Sequence, residues 1–167
     1  DSTPSIIRRM AAEDERVVSF HIERRGVGAA FVRGVELVED EFIVCQDADL
    51  SVELDFVPLA LEFLEKCDMV IGCKRLRVHK RSFFRKLGSD FFVFAASVLL
   101  GTGASDFSIG AKAFRRSFLL KRLEKLDRGT GYVLELVEQA AKERRRVVEI
   151  PVDCEDTRRS HFNLPAE

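Results

Sequence analysis

Two carboxylates stand one residue apart in Asp47-Ala48-Asp49-Leu50, directly after the apolar run 42–45. The apolar run predicts a buried strand, and residues that follow a strand lie at the edge where open α/β sheets bind ligands. Carboxylate oxygens are preferred ligands of hard divalent cations such as Mg²⁺ and Mn²⁺. We therefore interpret Asp47 and Asp49 as ligands of a divalent metal ion, and the ion would bind a diphosphate. The same pattern leaves open a turn that only caps the following helix.

A run of bases follows the next predicted strand, residues 69–73. The chain has no acid between Asp68 and Asp90, and this interval contains Lys74, Arg75, Arg77, Lys80, Arg81, Arg85 and Lys86. Ammonium and guanidinium groups bind phosphate oxygens. Because the run begins at a strand end, we expect its bases to contribute to an anion site at the same edge of the sheet. A solvated charged face is the ordinary alternative.

Length and composition limit the classes of protein that the chain can represent. Its 167 residues allow one domain, 1–167, with enough apolar residues for a sizeable core. A formal net charge of −1 gives no global field that would attract nucleic acid. The four cysteines lack metal-ligand spacing, which indicates a reducing, cytoplasmic compartment. We predict no signal peptide and no membrane-spanning helix, because a span requires roughly 20 apolar residues.

Alternating strand and helix patterns predict a parallel α/β sheet. The predicted strands are 17–22, 42–45, 69–73, 110–114 and 147–152. The first predicted helix begins at Thr3, with Pro4 in the first turn, and the second follows from the turn 25–30 and runs to about Val38. The later predicted helices are 58–66, 82–100, 117–125 and 133–144. Five phenylalanines beside bases in helix 82–100 predict either peripheral membrane contact or burial in the core or a dimer interface.

In their order along the chain, these motifs resemble family 2 glycosyltransferases, and the dolichyl-phosphate mannose and glucose synthases in particular. The shared features are Gly26-Val27-Gly28 before a helix, the Asp47 to Leu50 stretch, Lys74-Arg75, Arg85, Asp106 at the start of 106–114, Glu135, and 149–152. The resemblance implies the GT-A fold, which is a three-layer α/β/α arrangement with a mostly parallel sheet. It also implies that the family's first β-α-β unit is missing before Asp1. We therefore expect either that the chain is a fragment or that a homodimer or a partner chain covers the apolar surface left by the missing strands.

The resemblance implies inverting transfer of mannose or glucose from a nucleotide-diphosphate sugar, GDP-mannose or UDP-glucose, to polyprenyl (dolichyl) phosphate at the cytoplasmic face of a membrane. The acceptor phosphate is already ionised at neutral pH, so no strong general base is needed. Two alternatives stay open. One is the same fold with a hydroxyl acceptor such as a polysaccharide, which requires a carboxylate base. The other is a non-catalytic fragment that needs a partner chain.

The resemblance also implies roles for individual residues. The catalytic set is Asp49, Asp106 and Arg85. The donor-binding set is Asp47, Asp49, Gly26, Gly28, Lys74 and Arg75, in which Asp47 and Asp49 hold Mg²⁺ or Mn²⁺. The acceptor-phosphate set is Arg85, Arg158, Arg159 and Lys112. The two glycines have an equally good structural explanation as a tight turn before a helix, and Glu135 is more simply a structural residue of its helix.

Overall fold

The structure is a computed structural model of the chain, and it describes residues 2–23, 25–74, 107 and 109–154. In these residues the helices are α1 (Thr3–Glu13), α2 (Val27–Leu37), α3 (Phe56–Leu64), α4 (Arg116–Leu120) and α5 (Tyr132–Lys142), with a 3₁₀ turn at Leu123–Lys125. The strands are β1 (Phe42–Cys45), β2 (Met69–Cys73), β3 (Lys112–Arg115) and β4 (Val147–Pro151). The predicted helix 82–100 lies outside the described residues.

The described strands form one mixed sheet in the order β1-β3-β2-β4. Strand β3 lies antiparallel between β1 and β2, and β4 is parallel to β2. Strands β1, β2 and β4 therefore run in the same direction, as the mostly parallel prediction requires, and β3 alone of these strands runs the other way. All five residues of β2 are buried, which agrees with its uninterrupted apolar sequence.

Alternation along β3 separates the two faces of the sheet. Phe114 lies on the face that α2 and α5 cover: its ring centroid is 5.2 Å from that of Phe31, which is 4.7 Å from the Tyr132 ring. Helix α3 contacts β1, β2 and β3 and buries Phe56, Ala60 and Leu64 at i, i+4 and i+8. Arg115, which has the opposite parity to Phe114, donates to the Leu64 carbonyl. The sheet therefore lies between two helical layers.

We use the name amino edge for the side of the sheet where β1, β2 and β4 begin and β3 ends. Charged groups there connect neighbouring loops. Arg115 pairs with Glu41, and the Arg116 N–H donates to the Glu41 carbonyl at 2.8 Å. Asp68 accepts the Arg146 N–H at 3.2 Å and lies 3.6 Å from the Arg145 guanidinium. These contacts hold the strand starts in register.

The predicted strand 17–22 is wrong, since these residues form neither a strand nor a helix. Their sequence alternates, but β1 pairs with β3 alone among the described strands, and Val18 and Phe20 remain 69% and 45% exposed. An alternating sequence becomes a strand only when it has a neighbour to pair with. The other predicted elements in the described region occur, except that predicted helix 117–125 divides into α4 and the 3₁₀ turn. No described helix is long and apolar enough to cross a membrane.

Candidate functional site

Strands β1, β2 and β4 end, and β3 begins, at the side that we call the carboxyl edge. A cavity of about 470 Å³ opens there, and residues of α2, β1, β3 and the start of α5 contribute to its lining. The polar side chains of this lining belong to Cys45, Gln46, Asp47, Lys112, Thr130 and Tyr132. The apolar part includes Val27, Phe31, Phe107 and Ile109. The edge cavity, as we name it, is therefore a mainly apolar pocket with a carboxylate and an ammonium group in its wall.

Asp47 lies directly against Gly110, on the loop that leads into β3. A Cβ atom added to Gly110 would lie 2.1 Å from the Cγ and Oδ2 atoms of Asp47. This separation is far below van der Waals contact, so glycine is required at 110 as long as the carboxylate keeps this position. Gly110 thus helps to determine where the first carboxylate of the Asp-x-Asp stretch lies.

Lys112 contributes a buried positive charge to the edge cavity. It is opposite Cys45 on β1 and Ile71 on β2, and only 3% of its surface is exposed. Its Nζ donates a hydrogen bond to the Ile109 carbonyl, which fixes the end of the side chain. A lysine is rarely buried to this extent without a polar partner or a functional use.

Two other polar groups of the cavity stay neutral at physiological pH. Burial raises the pKa of the Cys45 thiol to about 11, with smaller opposing effects from Lys112, which lowers it, and Asp47, which raises it. Burial also raises the pKa of Tyr132, and the Cys45 thiol, where it is ionised, and the Asp47 carboxylate act in the same direction. The thiol is therefore a poor nucleophile, and the phenol is a hydrogen-bond group rather than a base.

The residues that follow β1 form a compact loop, 47–52, which we call the acidic turn. The Leu50 N–H donates to the Asp47 carbonyl at 3.0 Å, and the Ser51 N–H donates to Asp49 Oδ1 at 3.1 Å. Leu50 adopts a φ of 51°, a left-handed conformation that is uncommon for leucine. Asp47 and Asp49 are both exposed, and of the two Asp47 lines the edge cavity.

The two glycines at the start of α2 pack against the loop 127–131. The Gly28 N–H donates to the Gly129 carbonyl at 2.9 Å, and a Cβ added to Gly26, whose φ is 145°, would lie 2.2 Å from the Arg128 carbonyl oxygen. The close packing accounts for glycine at both positions, as the structural explanation expects. Donor binding by Gly26 and Gly28 stays a prediction.

Glu135 stabilises this same loop. Its Oε2 accepts the Asp127 N–H at 2.8 Å, and Asp127 Oδ2 in turn accepts the Gly131 N–H at 2.8 Å. This arrangement agrees with a structural role for Glu135. The loop leads into Tyr132, the first residue of α5, which lines the edge cavity. Glu135 therefore stabilises the backbone next to the cavity without lining it.

The structure brings several of the predicted site residues to the carboxyl edge. Asp47 and Lys112 line the edge cavity, Asp49 follows in the acidic turn, and Lys74 comes directly after β2. The predicted residues that lie outside the described part of the chain are Arg75, Arg85, Asp106, Arg158 and Arg159. Three further residues of the site, Gln46, Gly110 and Tyr132, were not predicted from the sequence. The sequence signals that could have indicated them are the position of Gln46 beside Asp47 and the glycine that precedes β3.

The donor set of the acidic turn fits a hard divalent cation. Asp47 and Asp49 offer carboxylate oxygens, and Mg²⁺ is commonly held by one or two carboxylates together with substrate phosphates and water. Among the described residues no group of three or more His, Cys, Asp or Glu side chains could hold a metal. Two carboxylates thus suit an ion that is shared with a phosphate ligand.

Residues 1–123 match the glycosyl transferase family 2. The chain belongs to this family. Among curated relatives, it is 30% identical over 161 residues to the glycosyltransferase AglD of Haloferax volcanii, covering 93% of this chain and 26% of the relative. It is 28% identical to the undecaprenyl-phosphate mannosyltransferase of Micrococcus luteus, covering 91% of this chain and 66% of that protein. It is also 28% identical to a dolichyl-phosphate hexose transferase of Haloferax volcanii, covering 91% and 64%.

The family 2 chain therefore spans less than two thirds of the length of each of these relatives. Its fold is that of glucosyl-3-phosphoglycerate synthase from Mycobacterium tuberculosis. The complex of that enzyme with phosphoglyceric acid superposes with a TM-score of 0.62 at 21% identity, over 95% of this chain and 58% of the enzyme. The complex with Mn²⁺ and UDP-glucose gives 0.58 at 18% identity, over 84% and 50%. The predicted family and GT-A fold are confirmed.

Proposed function

We propose that this family 2 chain carries the site of a metal-dependent, inverting glycosyltransferase that moves mannose or glucose from a nucleotide-diphosphate sugar to a polyprenyl phosphate. The observation that carries the proposal is the placement of Asp47 and the buried Lys112 in one cavity at the carboxyl edge of the sheet. The names of two relatives, an undecaprenyl-phosphate and a dolichyl-phosphate transferase, support the class of acceptor.

The acidic turn would hold the donor. Asp47 and Asp49 would bind Mg²⁺ or Mn²⁺, and the ion would supply charge neutralisation to the departing nucleoside diphosphate. The Mn²⁺-bound structural neighbour supports a divalent ion in general. The acidic turn is closed by its own hydrogen bonds, so the two carboxylates are attached to an ordered stretch of backbone before any ligand arrives.

The Lys112 ammonium, in the wall of the cavity, would attract the negatively charged oxygens of the reacting phosphates. A buried ammonium interacts more strongly with an anion than an exposed one does, because little water screens it. The hydrogen bond to the Ile109 carbonyl holds Nζ in place, so the charge is positioned before the anion binds. Lys74, at the end of the neighbouring strand β2, would add a second cation at the same edge.

The acceptor needs little help from a base. A phosphate monoester carries about −1.5 to −2 charges at pH 7, so its oxygen can attack the anomeric carbon without losing a proton. Asp47, which lines the cavity, would bind the metal in this proposal. An ionised acceptor phosphate needs no further carboxylate to take a proton, whereas a hydroxyl acceptor does.

Residues outside the described part of the chain would complete the site. Arg75 would join the donor site, Asp106 would orient the sugar, and the acceptor phosphate would be held by Arg85, Arg158 and Arg159. We place the reaction at the cytoplasmic face of a membrane, where the lipid part of a polyprenyl phosphate resides.

A transfer assay tests the proposal. The protein, in its natural full length, is incubated with Mn²⁺ or Mg²⁺, labelled GDP-mannose or UDP-glucose, and dolichyl or undecaprenyl phosphate, and label in the lipid phase is counted. We expect transfer by the wild type and a loss of at least about 100-fold in Asp47→Asn and Asp49→Asn, as for removal of an essential metal ligand. Asp40→Asn, at an exposed aspartate before β1, is the matched control and keeps its activity.

Two outcomes would overturn the proposal. Transfer to hydroxyl compounds alone, with none to a lipid phosphate, would support the other class of family 2 acceptor. Absence of transfer together with absence of Mn²⁺ and sugar-nucleotide binding by calorimetry would support a non-catalytic chain that needs a partner.

A further inference from the structure

Gln46 joins the two ends of the acidic turn. It is the residue directly before Asp47, and its side-chain Nε2 donates to the Val52 carbonyl at 2.6 Å. Val52 is 1% exposed and forms an isolated antiparallel bridge with Cys154, which follows β4. The far end of the acidic turn is therefore anchored in the core, and the Gln46 amide connects the near end to that anchor.

The Val52 carbonyl determines how the Gln46 amide is oriented. A carbonyl oxygen only accepts hydrogen bonds, so the NH₂ group of the amide must face it. The amide oxygen then points elsewhere: Oε1 is buried and has no hydrogen-bond partner within the described part of the chain. A buried polar atom without a partner lowers stability. The hydrogen bond from Nε2 to Val52 is therefore made while Oε1 of the same amide has no partner among the described residues.

The backbone of the acidic turn has its own hydrogen bonds, but these act within residues 47–51. They connect Leu50 to Asp47 and Ser51 to Asp49, and they do not reach β1. The Gln46 side chain, at the end of the strand, contacts the Val52 carbonyl and so connects the two ends of this hydrogen-bonded unit. The Gln46 amide thus adds a contact from outside residues 47–51 to those that order the backbone carrying Asp47 and Asp49.

We propose that Gln46 is a positioning residue that holds the acidic turn in the geometry needed for cation and diphosphate binding. The expected effect of Gln46 on cation and diphosphate binding rests on the proposed function. Its structural part, order in the acidic turn, stands independently of that function and can be measured without any ligand.

Gln46→Met tests the proposal, because methionine has a similar length and volume but lacks the amide. In the ligand-free protein we expect hydrogen exchange at the Leu50 and Ser51 amides to become faster by about tenfold, with the β2 amides unchanged. We also expect the affinity for Mn²⁺ in the presence of GDP or UDP, measured by electron paramagnetic resonance, to fall by about 10-fold or more.

Gln139→Met is the matched control, because it makes the same substitution on α5 at a residue that does not line the edge cavity. It should change neither exchange at Leu50 and Ser51 nor Mn²⁺ affinity. Unchanged exchange and affinity in Gln46→Met would overturn the positioning role, and so would a uniform increase in exchange across β2. Faster local exchange in a protein whose wild type binds neither Mn²⁺ nor nucleoside diphosphate would sustain the positioning role and contradict the proposed function.

Discussion

The two edges of the sheet use charged side chains in different ways. At the amino edge, Arg115 pairs with Glu41 and also donates to the Leu64 carbonyl, and Asp68 binds two groups of the segment before β4. At the carboxyl edge, Asp47 and Lys112 line the wall of a 470 Å³ cavity. Charges at the first edge join parts of the chain to each other, whereas charges at the second border a space that a ligand can enter.

The contrast shows that charge alone does not mark a site. Arg115 is a strand residue with a cation–π contact to Phe42 at 5.1 Å, and its guanidinium pairs with Glu41. Lys112 begins the same strand, three residues earlier, and faces the cavity. Both carry one positive charge, so their position along the strand decides whether the group serves stability or binding. Substitutions at the two edges should therefore have separable effects.

Of the two substitutions that compare the edges, Gly110→Ala at the carboxyl edge should give the larger effect. The new methyl group would overlap the Asp47 carboxylate, with 2.1 Å between the added Cβ and Oδ2, so Asp47 must move. We expect transfer activity and Mn²⁺ affinity in the presence of nucleoside diphosphate to fall by about 10- to 100-fold. Titration followed by electron paramagnetic resonance measures the affinity.

Gly34→Ala is the control for that substitution, since a Cβ at Gly34 meets no atom within 4 Å. Gly34 lies inside α2, so alanine should raise the free energy of unfolding by about 0.5–1 kcal/mol and leave binding unchanged. Wild-type Mn²⁺ affinity in Gly110→Ala would show that the position of Asp47 against Gly110 is irrelevant to binding.

Arg115→Met should give a smaller effect at the amino edge, confined to stability. The substitution removes the Glu41 ion pair and the hydrogen bond to the Leu64 carbonyl, while a methionine still covers part of the Phe42 ring. We expect the free energy of unfolding to fall by about 1–2 kcal/mol, measured by urea denaturation, with Mn²⁺ affinity unchanged.

The matched control at an exposed ion pair is Arg33→Met, which removes the contact with Glu36 on α2. Both side chains of that pair are 47% exposed, so the change in stability should stay below about 0.5 kcal/mol. A loss of Mn²⁺ affinity in Arg115→Met with normal folding would contradict the separation of the two edges.

The sequence predicted the elements well where a segment carries its own signal. The uninterrupted apolar run of β2 and the Asp-x-Asp stretch after β1 predict their positions without further information. Periodicity does not encode strand direction, so the antiparallel insertion of β3 between β1 and β2 could not be obtained this way. Residues 17–22 show the same limit, because alternation cannot indicate whether a partner strand is present.

The charged residues of the candidate site were predictable from the sequence, but the residues that position them were not. Asp47 and Lys112 were identified from residue type and position, and they share one cavity. Gln46, Gly110 and Tyr132 were missed because their contributions depend on contacts that form only in the folded chain. The Gln46 amide donates to the Val52 carbonyl, the absence of a side chain at Gly110 leaves room for the Asp47 carboxylate, and the Tyr132 ring packs against Phe31. Such contacts leave no periodic or compositional signal.

The most direct test of the account is a crystal structure of the protein with Mn²⁺ and GDP or UDP, with anomalous diffraction recorded at the manganese edge. The account predicts an anomalous peak at the carboxyl edge, with Asp47 and Asp49 oxygens and the diphosphate about 2–2.5 Å from the ion. An ordered Mn²⁺–nucleotide complex that Asp47 does not touch, or one bound away from the edge cavity, would contradict it.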